Sequence, residues 1–251
     1  MCRLLGVVAG EPAPVSDLLS DDLDPFLALA CEHSHGWGFA FRSRGGAVES
    51  VKEPASAERS TRLRPLLTSC TTDAALLHLR MASEGFPVTM ANTHPFGDAE
   101  TAFAHNGDFT PYTSLDGVIG PELLTLAEGD TDSERFSLAV RRRMNDGLSP
   151  AKALIQTADD LRSLTTGFAS LNCLLLTPTA LLAYTEHDAG SEVIQRRGAG
   201  YFGLHYRQHG NRTVVASTGW PHPEPEWTTL PERHVLEIAR GGAPRVTVYG
   251  A

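Results

Sequence analysis

Ten short apolar runs, none longer than six residues, constrain this chain most. They occupy residues 4–8, 38–41, 75–79, 101–104, 171–176, 180–184, 201–206, 213–217, 234–238 and 246–249, with Gly, Pro and Asp at their borders. Runs of that length, rich in Val, Leu, Phe and Ala, predict strands. Helical spacing appears in only a few places. Residues 25–31 form a short candidate, with Asp24 as N-cap and Pro25 at the first helical position. Residues 132–144 place Phe136, Leu138, Val140 and Met144 on the apolar positions, and Thr131 with Glu134 predicts a capping box. Ser149-Pro150 opens a third helix over residues 151–164. After the short early helix the order is strands, two helices, strands. That is not the alternation of a parallel α/β sheet. It predicts an α+β chain of antiparallel sheets with segregated helices. No repeat or low-complexity linker interrupts it, and Pro221 to Pro225 reads as a surface loop, so one domain is expected over residues 1–251.

The chain is 41% hydrophobic, enough for a proper core, and its net charge of −9 comes with no stripe of Lys and Arg. Nucleic acid and anionic membrane are therefore not expected partners. The densest basic run, Arg141 to Arg143, reads as the solvated face of a helix. Cys2, Cys31, Cys70 and Cys173 show no C-x-x-C spacing, so neither a metal site nor a disulfide framework is expected. No apolar stretch approaches the ~18 residues of a membrane span, and no signal-peptide pattern is present. The expectation is a soluble cytoplasmic protein that uses no cofactor.

Four stretches hold residue types suited to chemistry. Cys2 has three readings: a small buried hydrophobe, a lipid anchor, or a nucleophile exposed when Met1 is removed. In the third, the new α-amine, with a reference pKa near 7.7–8.0, serves as the base. Asn106-Gly107 ends a predicted strand and reads as a hairpin turn. It also reads as an oxyanion hole, with a side-chain donor and an unobstructed backbone N–H. Arg80 ends another strand, as an ordinary surface residue or a bidentate carboxylate clamp. Asp132 caps a helix or receives a substrate ammonium group. Each has a bland explanation alone. Together they match one substrate type: an amide to attack, with an α-carboxylate and an α-ammonium to hold, as in a γ-glutamyl amide.

The order of motifs resembles the class II glutamine amidotransferases, N-terminal nucleophile (Ntn) hydrolases that use a cysteine. It is most similar to the compact stand-alone members, including the ergothioneine-pathway γ-glutamyl hydrolase group. The residues carrying the resemblance are Met1-Cys2-Arg3, Gly36-Trp37-Gly38, His78-Leu79-Arg80-Met81-Ala82-Ser83, Asn92-Thr93-His94-Pro95-Phe96, Ala104-His105-Asn106-Gly107 and Thr131-Asp132-Ser133-Glu134. Leu171-Asn172 and Val214-Val215-Ala216-Ser217 also fit. The resemblance implies a four-layer αββα sandwich of two face-to-face antiparallel sheets with helices outside. It implies Cys2 as nucleophile, Asn106 and Gly107 as oxyanion hole, Arg80 as carboxylate clamp and Asp132 as ammonium partner. Ser83 and Gly85 match positions lining the glutamine pocket, and His94 takes a supporting place beside it. The chain departs from many stand-alone relatives in carrying His35, where they have Asp, before Gly36-Trp37-Gly38.

No synthase or sugar-isomerase domain is expected. Two fates for the product follow. Either a γ-glutamyl conjugate is cleaved for its amine, or glutamine is cleaved and ammonia passes to a separate synthase partner. A non-catalytic binding module is the weaker alternative, because it predicts a broken site. Loops at residues 84–90 and 221–226 are expected to shape specificity for the group on the γ-amide.

Overall fold

The computed structural model describes residues 1–83, 85–241 and 245–250, so Glu84 of the loop at residues 84–90 lies outside the described residues. Two antiparallel sheets form its centre. The first contains β1 (Arg3–Pro14), β2 (Trp37–Arg42), β3 (Val48–Glu53), β4 (Thr71–Leu79), β9 (Leu204–His209), β10 (Arg212–Ser217) and β11 (Thr228–Thr229), in the order β11-β9-β10-β1-β4-β2-β3. The second contains β5 (Phe96–Gly97), β6 (Ala102–Thr110), β7 (Gly167–Leu176), β8 (Ala180–Thr185), β12 (His234–Ala239) and β13 (Arg245–Gly250), in the order β13-β12-β8-β7-β6-β5. The helices are α1 (Val15–Leu19), α2 (Leu23–Ala28), α3 (Leu63–Ser69), α4 (Asp116–Leu124), α5 (Asp132–Asn145), α6 (Pro150–Leu164) and α7 (Glu192–Arg197).

Three apolar layers show how the sandwich is glued. Leu4, Val8 and Leu76 of the first sheet meet Ala104, Leu174, Leu181 and Leu236 of the second between the sheets. Leu5, Val7, Phe39 and Leu77 project the other way, onto Leu19, Phe26 and Leu67 of α1 to α3. Phe103, Leu171, Leu175 and Leu182 pack on Phe136, Leu154 and Leu161 of α5 and α6. Each central strand is covered on both faces, so β1 and β7 read as continuous apolar runs rather than as alternating ones. This is the expected four-layer αββα arrangement.

Several local expectations are corrected. The early helix begins at Leu23, not Pro25, and Asp24 lies inside it. A 3₁₀ turn at Ser20–Asp22 leads directly into it, so no side-chain cap is needed there, and Asp22 instead accepts from Arg207 at 2.7 Å. Thr131 caps α5 by accepting from the Glu134 N–H. The capping box is not reciprocal, because the Glu134 carboxylate accepts from the N–H groups of Glu128 and Gly129 at 2.9 and 2.8 Å. Asn106-Gly107 is no turn but the middle of a nine-residue strand. Residues 201–203 precede β9 rather than belonging to it. Arg141 and Arg142 bind Asp98 and Asp146 at 2.7 and 2.9 Å, and Arg143 pairs with Asp160, so the basic run is ion-paired and only partly solvated.

Candidate active site

Strand alternation decides which side chains meet. Leu4 and Val8 of β1 face the second sheet, so Cys2, two residues before Leu4, continues the inward row. Ala74 and Leu76 of β4 are inward, which carries His78 and then Arg80 into the same interior. Ala102 and Ala104 of β6 are inward while Phe103 and Phe109 meet the helices, so Asn106 points between the sheets. Arg3 pairs with Leu79, which sets Cys2 beside the end of β4. Asp132 opens α5, packed against β6, and its Oδ2 accepts the Phe109 N–H at 3.1 Å.

Cys2, Arg80, Ser83, His94, Gly107 and Asp132 line one cavity, together with Met81, Ala82, Phe86, Thr131 and Ser133. Its volume is about 20 Å³, room for a water. The Cys2 thiol is buried and donates to the Met81 carbonyl at 3.6 Å. Burial pushes its pKa up, while the nearby amino terminus and the Arg80 guanidinium pull it down. Burial also lowers the pKa of the Met1 α-amine, the amino terminus of the unprocessed chain. Arg80 donates through Nη2 to Pro87 O at 3.3 Å, and its buried Nη1 has no partner among the described residues. The Asp132 carboxylate accepts from the Ser133 N–H at 2.7 Å, yet burial raises its pKa to about 6.

Asn106 lies fully buried, and neither atom of its side-chain amide has a hydrogen-bond partner among the described residues. Its cross-strand neighbour Asn172 is satisfied, donating to Phe202 O and accepting the Glu186 N–H at 2.9 Å. A buried orphan amide costs roughly 1–3 kcal/mol. Such a group is retained where a ligand oxygen completes it. Gly107 is obligatory for a packing reason: a Cβ there would lie 1.7 Å from the Ser170 carbonyl oxygen.

A family model described as "Glutamine amidotransferases class-II" matches residues 1–220. The chain belongs to that family. It is 30% identical over 210 residues to the uncharacterized protein MJ1515 of Methanocaldococcus jannaschii, covering 77% of this chain and about half (53%) of that protein's length. It is 26% identical over 254 residues to the gamma-glutamyl-hercynylcysteine sulfoxide hydrolase of Mycobacterium tuberculosis, covering 96% and 94% of the two chains. A class-II domain protein of known structure from Silicibacter pomeroyi shares the fold with a TM-score of 0.66 at 18% identity, covering 100% of both chains.

Within this class-II chain, the other predicted residues are placed unevenly. His94 stacks on His78 with ring centroids 4.1 Å apart, and both its nitrogens are buried without partners among the described residues. Burial holds its pKa well below the ordinary value, and holds His78 near 3 and His105 near 4. Burial thus favours the neutral form of all three imidazoles. The close passage of His94 explains one glycine of Gly36-Trp37-Gly38, since a Cβ on Gly38 would meet the His94 carbonyl oxygen at 2.0 Å. His35 accepts the Ala82 N–H through Nδ1 at 3.0 Å and donates its own N–H to Arg80 O at 3.0 Å, so it pins the segment that carries Arg80. Gly85 stands apart from the cavity lining, exposed, at φ +88°.

Sequence reasoning passed over Met81, Phe86 and Ser133. The period-2 row through His78 and Arg80 stops where β4 ends, so nothing in the spacing singled out Met81 or Phe86. Ser133 was legible only as the neighbour of Asp132. Among the described residues no cluster of His, Cys, Asp and Glu is arranged to hold a metal ion, and no helix is long and apolar enough to cross a membrane.

Proposed function

We propose that this chain is an N-terminal-cysteine amidohydrolase that cleaves a γ-glutamyl amide through a γ-glutamyl thioester on Cys2, once Met1 has been removed. One observation carries the reading: Cys2, Arg80, Gly107 and Asp132 line a single cavity, and Asn106, which precedes Gly107 in β6 but is not itself in the lining, has no partner for its amide among the described residues. A guanidinium and a carboxylate flanking a thiol suit the α-carboxylate and α-ammonium of a glutamyl group. The name of the mycobacterial relative points to the same bond.

In this mechanism the Cys2 α-amine takes the thiol proton as Sγ bonds to the γ-carbonyl carbon. The carbonyl oxygen becomes an oxyanion and accepts from Asn106 Nδ2 and the Gly107 N–H. Collapse breaks the C–N bond, and the α-ammonium gives its proton to the departing nitrogen. Water then attacks the thioester, with the α-amine taking its proton. The C–S bond breaks, and the thiolate recovers that proton. We place the whole of this chemistry in one domain. The four free cysteines suit a reducing compartment such as the cytoplasm. With glutamine as substrate the released amine is ammonia, and delivery to a separate synthase would show as partner-dependent glutamate release.

The test is direct. Intact mass should show a chain lacking Met1, and that protein should release glutamate from glutamine or from γ-glutamyl amides. Retained Met1, or no glutamate from any of them, sinks the proposal.

The Asp132 role makes a pH prediction. Only the carboxylate pairs with a substrate ammonium, and burial sets its ionisation near pH 6. As pH falls below about 6, kcat/KM should drop about tenfold per unit, because that ratio reports the free enzyme. A bound ammonium stabilises the carboxylate, so the acid limb of kcat should lie at lower pH. Asp132→Asn should remove the Asp132 share of this limb, leaving that of the α-amine, while raising KM. A wild-type kcat/KM that stays flat from pH 7 to pH 5 would exclude the role.

A further inference from the structure

Resting on the hydrolase reading above, we infer that the room occupied by Met1 is the subsite for the group on the γ-amide nitrogen, and that it takes an uncharged apolar amine. The argument begins with proton transfer. The Cys2 amine must come within about 2.6–3.2 Å of the departing nitrogen to protonate it. In the unprocessed chain that same nitrogen is bonded to the Met1 carbonyl carbon. Excision of Met1 therefore opens space that starts at the catalytic amine itself.

The Met1 side chain shows what kind of space this is. It packs against a small apolar cluster of Ala169, Ile194 and Phe202, flanked by Val193 and Tyr201. The cluster is separate from the three apolar layers that hold the sandwich. Its walls are anchored independently of Met1. The Phe202 carbonyl accepts from Asn172, the Tyr201 carbonyl accepts from Thr218 Oγ1 at 2.6 Å, and Arg197 of α7 pairs with Glu32. Removal of Met1 thus leaves an apolar room with fixed sides rather than a surface that collapses.

Charge narrows the occupant. The Arg3 guanidinium lies 4.4 Å from the centre of the Tyr201 ring and that of Arg197 lies 5.3 Å from it. Arg3 donates through Nη1 to Cys2 O at 3.1 Å, and its Nε is buried without a partner among the described residues. The Arg197 charge is offset by its partner Glu32, so the Arg3 guanidinium is the group that opposes a second positive charge on the amine. Ammonia would leave the room empty, with no apolar contact to favour it. This subsite lies against α7 and residues 201–202.

The test compares kcat/KM on protein shown by intact mass to lack Met1. The substrates are γ-glutamylisobutylamide, glutamine and γ-glutamylputrescine. The isobutylamide should exceed glutamine and the putrescine amide by about tenfold or more, the order that two buried methylenes supply. Val193→Trp, which fills the room from its partly exposed side, should cut the isobutylamide-to-glutamine ratio about tenfold or more. Val193→Phe, a smaller intrusion, should lower that ratio by less. Glutamate release with glutamine preferred, or a ratio that neither variant moves, overturns the subsite and leaves the hydrolase reading standing. No glutamate from any of the three overturns the hydrolase reading and the subsite with it.

Discussion

Cys2→Ala should lower glutamate release by about 10³-fold or more, the scale on which enzymes lose rate when a nucleophile is removed. No other group in the cavity is equipped to replace it. Cys31, Cys70 and Cys173 lie outside the lining, and burial pushes the Cys70 and Cys173 thiols far above the range in which thiolate forms. Ser83 and Ser133 do line the cavity, but neither is the residue that carries the α-amine. The substitution should cost little stability, because it removes one sulfur whose only hydrogen bond among the described residues is the long one to Met81. Hydroxylamine added to wild-type protein and substrate should yield γ-glutamyl hydroxamate by intercepting the thioester, and the variant should yield none. A Cys2→Ala protein with full activity would place the nucleophile elsewhere.

Asn106→Ala should lower kcat by roughly 10²–10³-fold, the usual consequence of deleting one oxyanion donor. KM should change little, since the oxyanion exists only after attack. Stability supplies the diagnostic half of this prediction. A structural asparagine loses hydrogen bonds when truncated, and the protein melts earlier. Asn106 has no bond to lose among the described residues, because both polar atoms of its amide are buried and unpartnered there. Truncation removes an unsatisfied group and offsets the small cavity left behind, so the melting temperature should hold or rise. Lower kcat with unchanged or higher Tm is the expected pair. A lower Tm with unchanged kcat would assign Asn106 to the framework.

Much of this was legible in one dimension because strand chemistry has a period of two. The inward row that holds Leu4 and Val8 also holds Cys2, and the row of Ala102 and Ala104 holds Asn106. The two central helices were equally readable from their caps at Thr131 and Ser149. The short elements were not. β3, β5, β11, α1, α3, α4 and α7 carry few apolar residues each, and their formation depends on what they pack against. Asn106-Gly107 shows the limit most clearly. As a dipeptide it favours a turn, and only pairing with Asn172 and Leu171 of β7 holds it extended.

By itself the sequence determined the alternating faces, the order of elements, and a set of residue types suited to one substrate. It contained no information on which ends of which strands converge. The tertiary structure decided that, by stacking two sheets so that the start of β1, the end of β4 and the middle of β6 meet over the first turn of α5. That stacking buries Asp132 and lifts its ionisation to about 6, and it leaves the Asn106 amide unpaired. Both effects arise from desolvation, which depends on everything packed around a group and so cannot be read from its neighbours in the chain.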